Sequence, residues 1–192
     1  LIYGDAMNIT NSQSGNDNIN GGTGDDVVYG DGLTLISNSL GGQDTIDGGV
    51  GNDTIYGDAV TLTSSVAGRD TIKGGNGNDT IYGDALFMTV SSAGNDLIIG
   101  GLGNDNLYGD TNLNNIVGAF VAGADIFSYN ILSNEGTDNI NDFNIGGVVD
   151  TIRLTASTIV NNQEVFSQFS SPEGILQFID FSVVNGHYVM TS

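Results

Sequence analysis

The chain contains no cysteine and only three basic residues, Arg69, Lys73 and Arg153, among its 192. Without cysteine, neither a disulfide framework nor a thiolate metal site is available. Against those three cations stand 23 acidic residues, for a formal net charge of −20. Nucleic acid and anionic membrane surfaces would repel such a chain and are excluded as expected partners. No run of about 18 apolar residues occurs, so no membrane-spanning helix is expected. His187 is the single histidine and reads as a strand residue. With no second histidine and no cysteine, a zinc-protease motif and a Ser/His or Cys/His nucleophile are both excluded within this chain. No signal peptide is legible, and Leu1 falls in the middle of a pattern that returns later, so we expect a C-terminal piece of something longer.

What is present is unevenly distributed. The hydrophobic share of 39% is that of a chain that folds. Twenty of the acidic residues are Asp, and only Glu135, Glu164 and Glu173 are Glu. A solubilising surface would mix the two types. Short carboxylates beside glycine suit tight turns or hard-metal coordination instead.

Self-comparison resolves the order. "YGD" occurs at residues 3, 29, 56, 82 and 108, so the period is about 26. The segments "GNDNINGGTGDDVVYGD" (15–31), "GQDTIDGGVGNDTIYGD" (42–58), "GRDTIKGGNGNDTIYGD" (68–84) and "GNDLIIGGLGNDNLYGD" (94–110) align without gaps. Each unit reads G-x-D, a short strand, G-G-x-G-x-D, a second short strand ending in Tyr, then G-D. The first strand centres on Ile19, Ile46, Ile72 or Ile98, the second on Val28, Ile55, Ile81 or Leu107. Between "YGD" and the next G-x-D, Met7, Leu33, Val60 and Leu86 form one column, with Ile9, Leu35, Leu62 and Met88 two places on. That is a third half-buried strand per coil. Three short strands with Gly and Asp corners, repeated, describe an all-β parallel solenoid, in which stacked coils supply the core that one coil cannot make.

The corners are the candidate sites. One row holds Gly21, Gly22, Thr23, Gly24 and Asp26; Gly48, Gly49, Val50, Gly51 and Asp53; Gly74, Gly75, Asn76, Gly77 and Asp79; and Gly100, Gly101, Leu102, Gly103 and Asp105. A second holds the G-x-D pairs Gly15 and Asp17, Gly42 and Asp44, Gly68 and Asp70, Gly94 and Asp96, Gly123 and Asp125. A third is the "YGD" column Asp5, Asp31, Asp58, Asp84 and Asp110. Calcium takes six to eight hard oxygens, which main-chain carbonyls of a glycine-rich turn and a closing Asp can supply. Stacked at the strand spacing of about 4.8 Å, the Asp columns would be ladders of like charge, and no basic column neutralises them. Calcium ions stacked between coils answer that repulsion. A repeated column is the wrong signature for the unique carboxyl pair of a glycoside hydrolase.

The motif G-G-x-G-x-D-x-(apolar)-x at 21–29, 48–56, 74–82 and 100–108 resembles the nonapeptide of RTX (repeats-in-toxin) hemolysin-type proteins. The resemblance implies a right-handed parallel β-roll that binds calcium in its turns. The G-x-D pairs look like the same nonapeptide with its first positions eroded, and the "YGD" corner departs from it. "GADIFSYNILSNEGTDNINDFNIGGVVDTIRL" (123–154) is similar to the segment that closes the roll in RTX proteins exported by type I secretion. The expected division is therefore a calcium-binding solenoid over 1–122 and a capping, secretion-associated β region over 123–192. Asn185-Gly186 in the latter is a hairpin signal.

By the same resemblance the chain is expected to be non-enzymatic here and secreted or cell-surface associated in a bacterium. It would meet the type I secretion apparatus during export and fold on calcium outside. Alternatives are a self-associating adhesin, surface-layer or filament subunit, and the tail of a secreted protease or lipase. The Tyr column, residues 3, 29, 56, 82 and 108, lies at the outward end of the second strand, as a stacking ladder or an exposed stripe for a partner. Thr23, Val50, Asn76 and Leu102 are too irregular for the threonine ladder with which some RTX solenoids bind ice.

Overall fold

The computed structural model describes residues 1–130, 133, 135–143, 148–155, 157–160, 163–166, 180–184 and 187–191. Its repeats stack as expected, each coil contributing one strand to each of three parallel sheets. The first sheet runs Asn18–Asn20, Thr45–Val50, Thr71–Asn76, Leu97–Leu102, Ile126–Asn130 and Thr151–Thr155. The second runs Ile2–Tyr3, Val27–Tyr29, Thr54–Tyr56, Thr80–Tyr82, Asn106–Tyr108 and Thr137–Ile140. The third runs Asn8–Thr10, Gly32–Ile36, Ala59–Thr63, Ala85–Ser92 and Ile116–Val121.

Register keeps equivalent residues in contact: Ile46 pairs Ile72 and Ile72 pairs Ile98, while Ile55 pairs Ile81 and Ile81 pairs Leu107. These two columns face each other and form the main core, closed at one end by Phe127, Tyr129 and Ile140. Each fully buried Ile contributes roughly 1.5–3 kcal/mol relative to exposure. The spacing matters because a one-residue slip would turn the whole column to solvent.

The third sheet departs from simple alternation. Leu35, Leu62 and Met88 are buried with Ala59 and Ala85 in a second cluster. Leu33, Val60 and Leu86, two residues before them, instead pack on the tyrosines. The backbone is irregular there, since Leu33 and Thr34 both donate to the Met7 carbonyl. Five tyrosine rings stack with centroids 4.9, 5.2, 5.1 and 4.5 Å apart. The ladder reading holds, but its outward placement does not. Tyr29, Tyr56 and Tyr82 are buried, because the third strand folds back and lays its apolar residues over the rings. An exposed tyrosine stripe is thereby excluded.

The coil geometry outlasts the repeat letters, which fade after about residue 112. Thr137–Ile140 still stacks in parallel on Asn106–Tyr108, and Thr151–Thr155 on Ile126–Asn130. His187–Thr191, which begins with the single histidine, then pairs antiparallel with Thr137–Ile140, and Asp180–Val184 pairs antiparallel beyond it. Antiparallel strands therefore cover that edge of the second sheet. The Asn185-Gly186 turn expected between them lies outside the described residues. Among the described residues the one helical segment is a single 3-10 turn, Leu113–Asn115, and no helix is long and apolar enough to cross a membrane.

Candidate metal sites

In the G-G-x-G-x-D row the chain must turn from the first sheet into the second within a few residues. Gly75 and Gly77 do so with φ of +117° and +136°, conformations that a side chain rarely permits. Asn76 between them, like Thr23, Val50 and Leu102, leaves its side chain in solvent. The carbonyls of Val50, Asn76 and Leu102 accept the N–H of Gly24, Gly51 and Gly77 one coil back. The closing aspartates divide their oxygens. Oδ1 of Asp53, Asp79 and Asp105 accepts the N–H of the Asp one coil back, each at 2.8 Å. Oδ2 of all three is buried and has no hydrogen-bond donor. It turns toward the first glycine of its own corner, where a Cβ on Gly48 or Gly74 would run into both that oxygen and the carbonyl of Gly74 or Gly100 in the next coil. Oxygens from two coils thus converge around a space that glycine leaves open.

The G-x-D and "YGD" columns make the same arrangement together. A Cβ on Gly57 would meet Asp70 Oδ2 and the Gly83 carbonyl, and one on Gly83 would meet Asp96 Oδ2 and the Gly109 carbonyl. The "YGD" glycine therefore occupies the place of the first glycine of the nonapeptide. The G-x-D half has not lost its opening positions. They stand ahead of the third-sheet strand, which is an insertion into the corner. The "YGD" aspartate faces the same space: Asp58 Oδ1 accepts from Gly68 N–H at 2.8 Å, Asp84 Oδ1 from Gly94 at 2.7 Å, and Asp110 Oδ1 from Gly123 at 2.7 Å. Gly42 donates likewise to Asp31, and Gly15 to Asp5, which at the first coil is exposed. Two columns read from the sequence as separate corners are one corner with two carboxylates per coil.

Oδ2 of Asp44, Asp58, Asp70, Asp84, Asp96 and Asp125 is buried there without a donor, as is that of Asp17. An ionised oxygen without a partner is costly to bury. Among the described residues the ion pair of a Lys or Arg side chain is Lys73 with Asp47, 3.2 Å apart on the exposed face of the first sheet. Nor do three or more Asp, Glu or His side chains form a ready-made cage among the described residues. The donor set is carboxylate pairs with main-chain carbonyls, which suits a hard, flexibly coordinated cation such as calcium.

The charge has a pH signature. Burial first, then the neighbouring carboxylates, lift Asp44 to about 7 and Asp110 to about 8. The same causes hold Asp58, Asp70, Asp84 and Asp96 well above the ordinary carboxylate range. Because the folded values exceed the unfolded one near 3.9, the folded chain binds more protons, and cation-free stability falls as pH rises from about 4 to 8. Circular dichroism of exhaustively decalcified protein should accordingly show more β-structure at pH 4.5 than at pH 8. The opposite trend would contradict this electrostatic account.

Four carboxylates were not singled out from the sequence. Asp138 continues the Asp105 column, accepting Asp105 N–H at 2.8 Å. Asp150 continues the Asp125 column, accepting its N–H at 2.9 Å. Asp142 and Glu135 are also buried. "VDTI" at 149–152 repeats the "QDTI" of 43–46, and "TDNI" at 137–140 the "NDNL" of 104–107. Those short echoes were the available signal.

A parallel solenoid with buried carboxylates and carbonyls converging at its corners defines a cation-holding structural repeat protein. The family model for the RTX calcium-binding nonapeptide repeat matches four copies, over residues 12–32, 39–59, 66–85 and 90–116. Through residues 12–116 the chain belongs to the RTX calcium-binding repeat family. No curated protein and no solved structure matches it. The β-roll of these repeats is a structural calcium-binding module rather than a catalytic fold.

Proposed function

We propose that this chain is a calcium-loaded folding and export module of an extracellular or cell-surface protein. Calcium is held at two rows of sites. In one, the ligands are the carbonyls of the G-G-x-G turns with Asp26, Asp53, Asp79 and Asp105. In the other, the G-x-D aspartates Asp17, Asp44, Asp70, Asp96 and Asp125 act with the "YGD" aspartates Asp5, Asp31, Asp58, Asp84 and Asp110. Residues 1–122, joined by Asp125, carry these sites, and the rest of 123–192 caps them and serves export through a type I apparatus. Where calcium is scarce the chain is a self-repelling polyanion, suited to passage unfolded. At about millimolar calcium the ions neutralise the columns and the coils stack.

The supporting observation is the row of buried Asp Oδ2 atoms that no donor satisfies. Equilibrium dialysis of the whole chain against calcium tests it. Several ions should bind per chain, with saturation at about millimolar free calcium. Asp70→Asn should lower the number bound, since it removes one charged oxygen from a central site. Absence of saturable calcium binding would overturn the reading, and magnesium bound equally well would argue against this donor set.

A further inference from the structure

The "YGD" row ends differently from the way it repeats. Pairing of Leu107 with Ile140 puts Asp142 two residues past Ile140, in the column of Gly109. Inner coils place a glycine at this position, and its carbonyl faces the Asp Oδ2 of the coil before it. At Gly109 no following carbonyl is among the nearest atoms: the three closest to a Cβ there all belong to Asp125. The Asp142 side chain comes in instead. Its Oδ1 accepts Gly109 N–H at 2.7 Å, and its Oδ2 accepts Asp110 N–H at 2.9 Å and Thr111 N–H at 3.1 Å. In an inner coil the equivalent N–H groups of Gly57, Asp58 and Ala59 donate to main-chain carbonyls of the next coil. One carboxylate thus takes the part that main-chain carbonyls play in an inner coil.

This end also gathers charge. Asp110, Asp125, Asp142 and Asp150 are 2%, 1%, 2% and 8% exposed. Asp125 Oδ2 lies against Gly109 with no donor, aimed into the corner. We propose that the C-terminal end of this row carries a calcium site of its own, in which Asp142 supplies a carboxylate where every inner coil supplies a glycine carbonyl. Asp110, Asp125 and Asp142 are its carboxylates, one more than the two of an inner site, and Asp150 adds a further negative charge beside them. The proposal rests on the calcium reading above but lies outside the matched repeats. Affinity in oxygen-donor sites rises with the number of charged ligands, so this site binds about tenfold or more tightly than the inner ones.

Isothermal titration of the decalcified full chain with calcium should resolve two classes, with one ion per chain in the tight class. Asp142→Asn should abolish that class and leave the count of weaker ions unchanged. Should Asp142→Asn fail to fold at saturating calcium by circular dichroism, Asp150→Asn decides. Its side-chain carbonyl can still accept Asp125 N–H while the negative charge is removed, and the tight affinity should drop severalfold. A single class in the wild type, or a tight class untouched in the folded variants, overturns the proposal while leaving the calcium reading intact. No binding at all would overturn that reading first.

Discussion

Decalcified protein at neutral pH should give the circular dichroism spectrum of a disordered chain, and calcium at about millimolar concentration should convert it to β-structure. The expected change is nearly the whole signal. Neighbouring Asp charges about 4.8 Å apart repel by roughly 3 kcal/mol per pair at an effective dielectric near 20, and the columns repeat that term along each corner. Apolar burial comes from one residue per short strand, the second cluster and the tyrosine layer, and has to offset this repulsion along every column. An ion at ten times its dissociation constant adds about 1.4 kcal/mol of stability. Several such sites amount to the total stability of an ordinary domain, roughly 5–15 kcal/mol. A spectrum unchanged by removal of calcium would show that the columns are neutralised in some other way, and the reading would fail.

Gly83→Ala should be nearly as damaging. Gly83 has no unusual φ to protect. Its constraint is space: a methyl group there would collide with the Gly109 carbonyl and Asp96 Oδ2. Neither can yield cheaply. Gly83 N–H donates to the Tyr108 carbonyl at 2.9 Å, which ties the two coils together at this point. Asp96 is held by Asp70 N–H at 2.8 Å on its other oxygen. The variant must either open the stack or vacate the site, a cost of more than about 4 kcal/mol. The calcium concentration for half-folding should therefore rise by well over tenfold. Asn76→Ala, on an exposed turn tip, is the comparison and should stay within about 0.5 kcal/mol. If Gly83→Ala folds at the wild-type calcium concentration, the open space beside that glycine is not a site.

Both experiments bear on the corner that most distinguishes this chain, where Gly57 and Asp70 stand 13 residues apart in sequence yet act as the opening glycine and closing aspartate of one turn. The insertion between them builds the third sheet and hides the tyrosines. A solenoid tolerates it because a loop leaving and re-entering at neighbouring points costs little closure entropy.

The 26-residue period, the strand centres at Ile46 or Ile81 and the membership of each Asp column as far as Asp125 followed from sequence alone, because in a stacked structure the period itself is the contact map. A residue and its equivalent one period on must be neighbours. The sequence could not say which columns face one another across a coil, since that depends on how the corners bend, not on spacing. Only the tertiary structure joined Asp58 to the Asp70 corner, laid Leu33, Val60 and Leu86 over the tyrosine ladder, and set Asp142 in a glycine's place at the end of the row.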